Sequence, residues 1–120
     1  MKVKDMMHKG VECVAPDTAI NAIAKKMREL DVGAIPVAAN GKLIGMITDG
    51  DLRRHMRNDL LDQSVDAVMT RAPKTVRPDQ LISETLEILN SMKVTALFAV
   101  DGGKPVGVIH VHDLLRAGAA

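Results

Sequence analysis

No feature of this 120-residue chain limits its fold more than a repeat that runs its whole length without a gap. Shifted by 62 positions, Val3 falls on Val65, Met7 on Met69, Val14 on Val76, Pro16-Asp17 on Pro78-Asp79, Ile20 on Ile82, Val32 on Val94 and Ala34 on Ala96. The register continues into GKLIGMITDGDLRR, Gly41 to Arg54, over GKPVGVIHVHDLLR, Gly103 to Arg116. A solenoid needs at least about three units to bury a continuous core. Two units predict instead a duplicated half-domain closed on its partner about a pseudo-two-fold axis.

Within the first copy, Val11 to Val14 reads as a short extended piece ended by Pro16, and Asp17 or Thr18 is placed to cap a helix. Ile20, Ile23, Ala24, Met27 and Leu30 follow at helical spacing, with Lys25, Lys26, Arg28 and Glu29 on the wet face. Ala34 to Ala38 is a small apolar strand in which Pro36 marks an edge, Asn40-Gly41 is a hairpin turn, and Leu43 to Ile47 is the next strand. A helix carrying Leu52 and Met56 closes the copy. The second copy runs the same course: Thr75-Val76 extended, a helix lined by Ile82, Leu86, Leu89 and Met92, strands over Ala96 to Val100 and Val106 to Ile109, and a last helix over Asp113 to Ala117. The expected fold is α/β (α+β), two β-α-β-β-α copies with two small sheets flanked by helices. The expected division is copy one at 1–57, a linker at 58–64 and copy two at 65–120, in one compact module.

Composition narrows the function classes. At 47% hydrophobic the chain can bury one real core. Sixteen basic against 15 acidic residues, a net charge of +1 and a single aromatic, Phe98, argue against a nucleic-acid binder, which needs a basic face or stacking rings. The single cysteine, Cys13, forbids an internal disulfide and fits a reducing compartment. The opening MKVKDMMHKGVE has no long apolar stretch of the secretory kind, and no run approaches ~18 apolar residues. A cytoplasmic protein with no membrane and no nucleic-acid partner is expected.

The chemistry-bearing residues gather at the strand–helix junctions. Thr48 stands three residues before Asp51, where a small polar ligand can be read; the same spacing makes a capping box, with Thr at the cap and an acid at the third helical position. In the second copy His110 replaces the hydroxyl residue while Asp113 remains, so that junction either stays empty or meets a different ligand. Arg53 and Arg54 lie beside Asp51, as phosphate forks or as a solvated helix face. His110 and His112 alternate, so on a strand they share a face; with no third ligand evident, no metal site is assigned. His8 and His55 read as surface residues. Of the eight methionines, Met27 and Met92 fit helix core positions. No nucleophile–base arrangement and no phosphate loop of the Walker type is present, so catalysis is not expected.

The two copies, their element order and the h-x-[ST]-x-x-[DN] signature after the third strand together resemble a tandem CBS pair, or Bateman module. The segments ITDGDLRR, VMTRAPKTVRPDQ and HVHDLLRAG resemble the C-terminal CBS region of arabinose-5-phosphate isomerases. The resemblance implies a regulatory sensor that binds an adenine nucleotide (AMP, ADP or ATP) or S-adenosylmethionine in clefts between the repeats, and that pairs into a homodimer. It implies that Asp51 accepts from two ribose hydroxyls with Thr48 adding a contact. An adenine slot is implied, lined by Val14, Ala15, Ile35 and Pro36, and in the other copy by Val76, Leu97 and Phe98. A linked or partner enzyme such as a sugar-phosphate isomerase is implied, with its catalytic domain absent from this chain. The competing expectation is a nucleotide-free module that only dimerises its parent enzyme.

Overall fold

The computed structural model of the chain describes residues 1–56, 59–94 and 96–116. The chain divides into two compact units, Glu12–Pro73 and Met1–Val11 with the stretch from Lys74 onward. They are called here the first-motif unit, which holds Asp51, and the second-motif unit, which holds Asp113. Each thus takes its lead-in segment from the other sequence copy. Position 58 of the linker expected at 58–64 lies outside the described residues; Leu60–Asp62 forms a short 3-10 turn.

In the first-motif unit, α1 (Ile20–Leu30) precedes β2 (Ala34–Ala39), β3 (Lys42–Thr48), α2 (Asp49–Arg54) and β4 (Thr70–Arg71). The sheet order is β2-β3-β4, all antiparallel, and Val14 adds a parallel bridge to Val37. In the second-motif unit, β1 (His8–Lys9) pairs with β7 (Lys104–His110), which pairs with β6 (Ala96–Asp101), which runs parallel to β5 (Thr75–Val76). Helices α3 (Ile82–Met92) and α4 (Val111–Arg116) complete it. The duplication is reproduced down to its irregularities. A register shift falls at Val37/Ala38 and again at Ala99/Val100, and Asp31 and Lys93 end α1 and α3 in the left-handed region at φ 54° and 56°.

Each unit has its own apolar core. One gathers Ile20, Ile23, Met27, Ile35, Val37, Ile47 and Val65; the other Val3, Ile82, Leu89, Leu97, Ile109 and Leu114. Strands β3 and β7 bury alternate residues, Gly45 and Ile47 and again Gly107 and Ile109, whereas β2 and β6 bury three in succession, 35–37 and 97–99. Several local expectations are corrected. Ala19, not Asp17 or Thr18, precedes α1, without a side-chain cap, because Ile20 N–H bonds the Gln63 carbonyl instead. Leu30 and Met92 are exposed at 42% and 48%, since the last turn of each helix overhangs its core. Thr85 takes an inner position of α3, its hydroxyl donating to the Leu81 carbonyl at 3.2 Å. Helix α2 stops at Arg54, leaving Met56 exposed. The end expected at Ala117 lies outside the described residues.

The lead-in strands lie close against the sheet because of two glycines. A Cβ on Gly45 would meet the Met69 sulfur at 2.5 Å and the Thr70 carbonyl oxygen at 2.9 Å; on Gly107 it would meet the Met7 sulfur at 2.5 Å and the His8 carbonyl oxygen at 3.1 Å. Gly45→Ala is therefore expected to destabilise by about 1–3 kcal/mol, the usual range for overpacking. Gly33→Ala, whose nearest neighbour is an ordinary 3.6 Å away, is expected to stay within about 0.5 kcal/mol of the parent or slightly above it. Urea unfolding of both variants checks this; equal midpoints would remove the close approach.

Candidate functional site

In the first-motif unit, β3 ends at Thr48 in extended geometry (φ −118°, ψ 163°) and α2 begins at once. The Asp51 N–H donates to Thr48 Oγ1 at 3.0 Å, and the Thr48 N–H donates to Asp51 Oδ2 at 2.9 Å. The capping box is thus formed in full. The carboxylate does more than cap. Its Oδ1 accepts from the Arg54 guanidinium and from the Thr70 hydroxyl at 3.3 Å. Asp51 is 2% exposed, and a buried carboxylate of this kind needs such partners, because an unpaired charge out of water is costly. Arg54 reaches it from solvent, with 67% of its side chain exposed; Arg53 points to water.

The second-motif unit repeats the frame with other side chains. Asp113 Oδ2 accepts the His110 N–H at 3.0 Å, and Oδ1 lies 3.2 Å from His8 Nε2. The His8 and His110 rings stand 5.9 Å apart, centre to centre, at 57°. His8 is the sixty-two-residue counterpart of Thr70, so in both units the lead-in strand brings its residue onto the motif aspartate. Burial pushes the Asp113 carboxyl up, but the His110 N–H and the His8 hydrogen bond and charge outweigh it, and the net lies below the ordinary carboxylate value.

Two expectations about histidine are corrected. His110 ends β7 while His112 lies in α4, so they do not alternate along one strand. His8, 60% exposed in its side chain, is tied to Asp113 rather than being a plain surface residue. No signal in local spacing marks His8 or Thr70. Among the described residues no three His, Cys, Asp or Glu side chains are placed to hold a metal ion, and no helix is long and apolar enough to cross a membrane.

Of the residues assigned to an adenine slot, Val14, Ile35, Val76 and Leu97 belong to the apolar cores. Pro36 and Phe98 are buried on the alternate face of their strands, and Ala15 is exposed. The Val14 N–H donates to the Pro36 carbonyl at 3.0 Å. A concavity of about 840 Å³ in the second-motif unit touches one of these residues, Val76, and is otherwise lined by Lys4, residues 74–80 and residues 100–103.

A family model for the CBS domain matches residues 3–58 and again 65–120. Together with two sheets built on the same hairpin and lead-in strand, one of four strands and one of three, this defines the class: the chain belongs to the CBS domain family and carries two copies. Among curated proteins it is 40% identical to the arabinose 5-phosphate isomerase KdsD of Pseudomonas aeruginosa, over 98% of this chain and 38% of that protein. It is 36% identical to the KdsD of Yersinia pestis, over the same shares. The chain therefore spans well under half the length of these relatives. Among solved structures, the CBS domain of NE2398 is similar with a TM-score of 0.90 and 25% identity over 100% of this chain and 98% of that one. The CBS pair of MJ0100, in complex with 5′-methylthioadenosine and S-adenosyl-L-methionine, gives 0.89 at 21% identity over 99% and 96%. CBSX2 in complex with AMP gives 0.88 at 22% over 98% and 96%.

The depressed Asp113 carboxyl has a pH consequence. A group whose pKa is lower folded than unfolded contributes stability above its unfolded value, about 3.9 for aspartate, and that contribution is lost as pH falls through the folded value. Asp113→Asn is expected to flatten the fall of melting temperature below about pH 4 while leaving the curve between pH 7 and 9 parallel to the parent. Curves parallel throughout the acid range would show that Asp113 gains nothing from its partners.

Proposed function

We propose that the chain is a regulatory ligand-sensing module that binds an adenine nucleotide or related adenosyl ligand (AMP, ADP, ATP or S-adenosylmethionine) at the Asp51 junction. It controls a linked or partner enzyme, of which a sugar-phosphate isomerase is the candidate that the KdsD likeness favours. The observation that carries the reading is the Asp51 carboxylate. One oxygen is fixed by the helix cap, and the other is held by an exposed arginine arm and a long threonine contact. A ribose diol donates to that second oxygen, while Arg54 swings to the ligand phosphate and exchanges one anion for another. Guanidinium forks suit both carboxylate and phosphate, so Arg54 keeps an anionic partner, while the two diol hydroxyls replace its donors to Asp51. Structural neighbours bound to AMP, S-adenosyl-L-methionine and 5′-methylthioadenosine support the ligand class.

One observation favours a second reading, a nucleotide-free dimerisation module: every Asp51 oxygen is already satisfied within the chain. Asp51→Ala separates the two. A diol-accepting carboxylate is worth about 1.5–3 kcal/mol, so AMP affinity is expected to fall roughly 10- to 150-fold. A carboxylate that only caps α2 leaves affinity unchanged and lowers stability by about 0.5–2 kcal/mol. Titration calorimetry beside thermal melting reads both.

The chain is further proposed to pair with itself. The CBS-pair likeness supports this, and Leu30, Met92 and Leu115, all above 40% exposed near the ends of α1, α3 and α4, are apolar side chains available to a covering partner. Light scattering at ~50 µM is expected to give twice the 12.9 kDa chain mass; the monomer mass would overturn it.

A further inference from the structure

We propose that residues 8 and 110 set the ligand selectivity of the second junction, so that an adenosyl ligand is taken at Asp51 alone, one per chain. The inference rests on the functional reading above and assigns it a stoichiometry and two selectivity residues.

The two junctions share one backbone frame. The cap bond to the carboxylate is 2.9 Å in one and 3.0 Å in the other. The glycine that admits the lead-in strand is Gly45 in one and Gly107 in the other, with a methionine sulfur 2.5 Å from the missing Cβ in both. The pairing of that strand also matches: Met46 faces Thr70, and Val108 faces His8. What differs is the set of side chains around the second carboxylate oxygen: Thr48, Thr70 and the exposed Arg54 arm at Asp51, against His110 and His8 at Asp113.

That difference decides what the oxygen can accept. Thr70 lies 3.3 Å from Asp51 Oδ1 and its hydroxyl is a single-atom rotor, so it can release the lone pair and still donate to a ligand oxygen. Thr48 accepts from the Asp51 N–H and keeps its own proton to donate. At Asp113 a five-membered ring takes the same oxygen at 3.2 Å, and a second ring stands 5.9 Å from the first. A diol reaching Asp51 displaces the exposed Arg54 arm, which can turn to a ligand phosphate, whereas one reaching Asp113 must displace an imidazole that pairs with the carboxylate and has a second ring beside it.

The chain supplies its own test, because each substitution installs the residue its other copy already tolerates. The full chain is titrated calorimetrically with AMP and, separately, with S-adenosylmethionine. The parent is expected to bind one equivalent of at least one probe, lost in Asp51→Ala. The double variant His8→Thr, His110→Thr is expected to gain a second equivalent that Asp113→Ala removes. Thr70→His, which leaves the cap of α2 intact, is expected to weaken binding at Asp51 at least 10-fold with little change in melting temperature. Two equivalents in the parent, a folded double variant that still binds one, or unchanged affinity in Thr70→His would each overturn the proposal while leaving the functional reading standing. A parent and double variant that bind neither probe would overturn both.

Discussion

The close approach of backbone to backbone at Gly45, repeated at Gly107, is the contact on which the functional geometry depends. A glycine inside a strand is ordinarily a weakness, about 0.5–1 kcal/mol worse than alanine, because it packs no side chain and gives up more chain entropy. Here the missing side chain is the useful part. The space is taken by a methionine from the lead-in segment, whose thioether bends to fit an irregular gap. With Met69 seated, β4 can pair with β3 at Gly45 and Met46, and Thr70 arrives beside Asp51. Met7 does the same for β1, β7 and His8.

The second dependence is electrostatic. Asp51 is almost wholly removed from water, yet it accepts from a backbone N–H, a guanidinium and a hydroxyl. Such networks hold firmly when complete and become costly when one member is withdrawn. The carboxylate that starts α2 is also the one proposed to meet a ligand, so on that reading occupancy and the order of that helix are energetically linked. A ligand that replaced Arg54 on Oδ1 would leave the cap bond on Oδ2 undisturbed, which is how one side chain can serve both ends.

The gapless repeat made much of the fold legible: the helices, the hairpins and the strand–helix junctions follow from apolar spacing and from Pro and Gly positions, but the lead-in strands β1 and β4 do not. The capping box at Thr48 and Asp51 was equally readable, because it is local. Less legible were the helix ends, where Leu30 and Met92 keep the helical period yet overhang the core, and Thr85, whose hydroxyl is satisfied by its own helix. Invisible to spacing were His8 and Thr70. The partner of His8 stands 105 residues away, and only strand pairing brings it there. The alignment of the copies carries the clue as a mismatch, His8 over Thr70.

That mismatch bears on how a duplicated fold divides its duties. Positions that the packing requires are the same or nearly so in both copies: Gly45 and Gly107, Met69 and Met7, Ile47 and Ile109, Val65 and Val3, Asp51 and Asp113. The strand irregularities are repeated as well. Both copies therefore solve one packing problem with one set of parts. At the junction carboxylate the copies part company twice, at 48/110 and at 70/8, although each junction keeps its cap. Since hydroxyls and imidazoles both leave the frame intact, the frame does not choose between them. What does choose is whatever approaches the free oxygen of the carboxylate: a small rotor admits a diol, and a ring already bonded to the acid resists one. On the proposed reading, the selectivity of the pair resides in the two positions that the fold leaves unspecified.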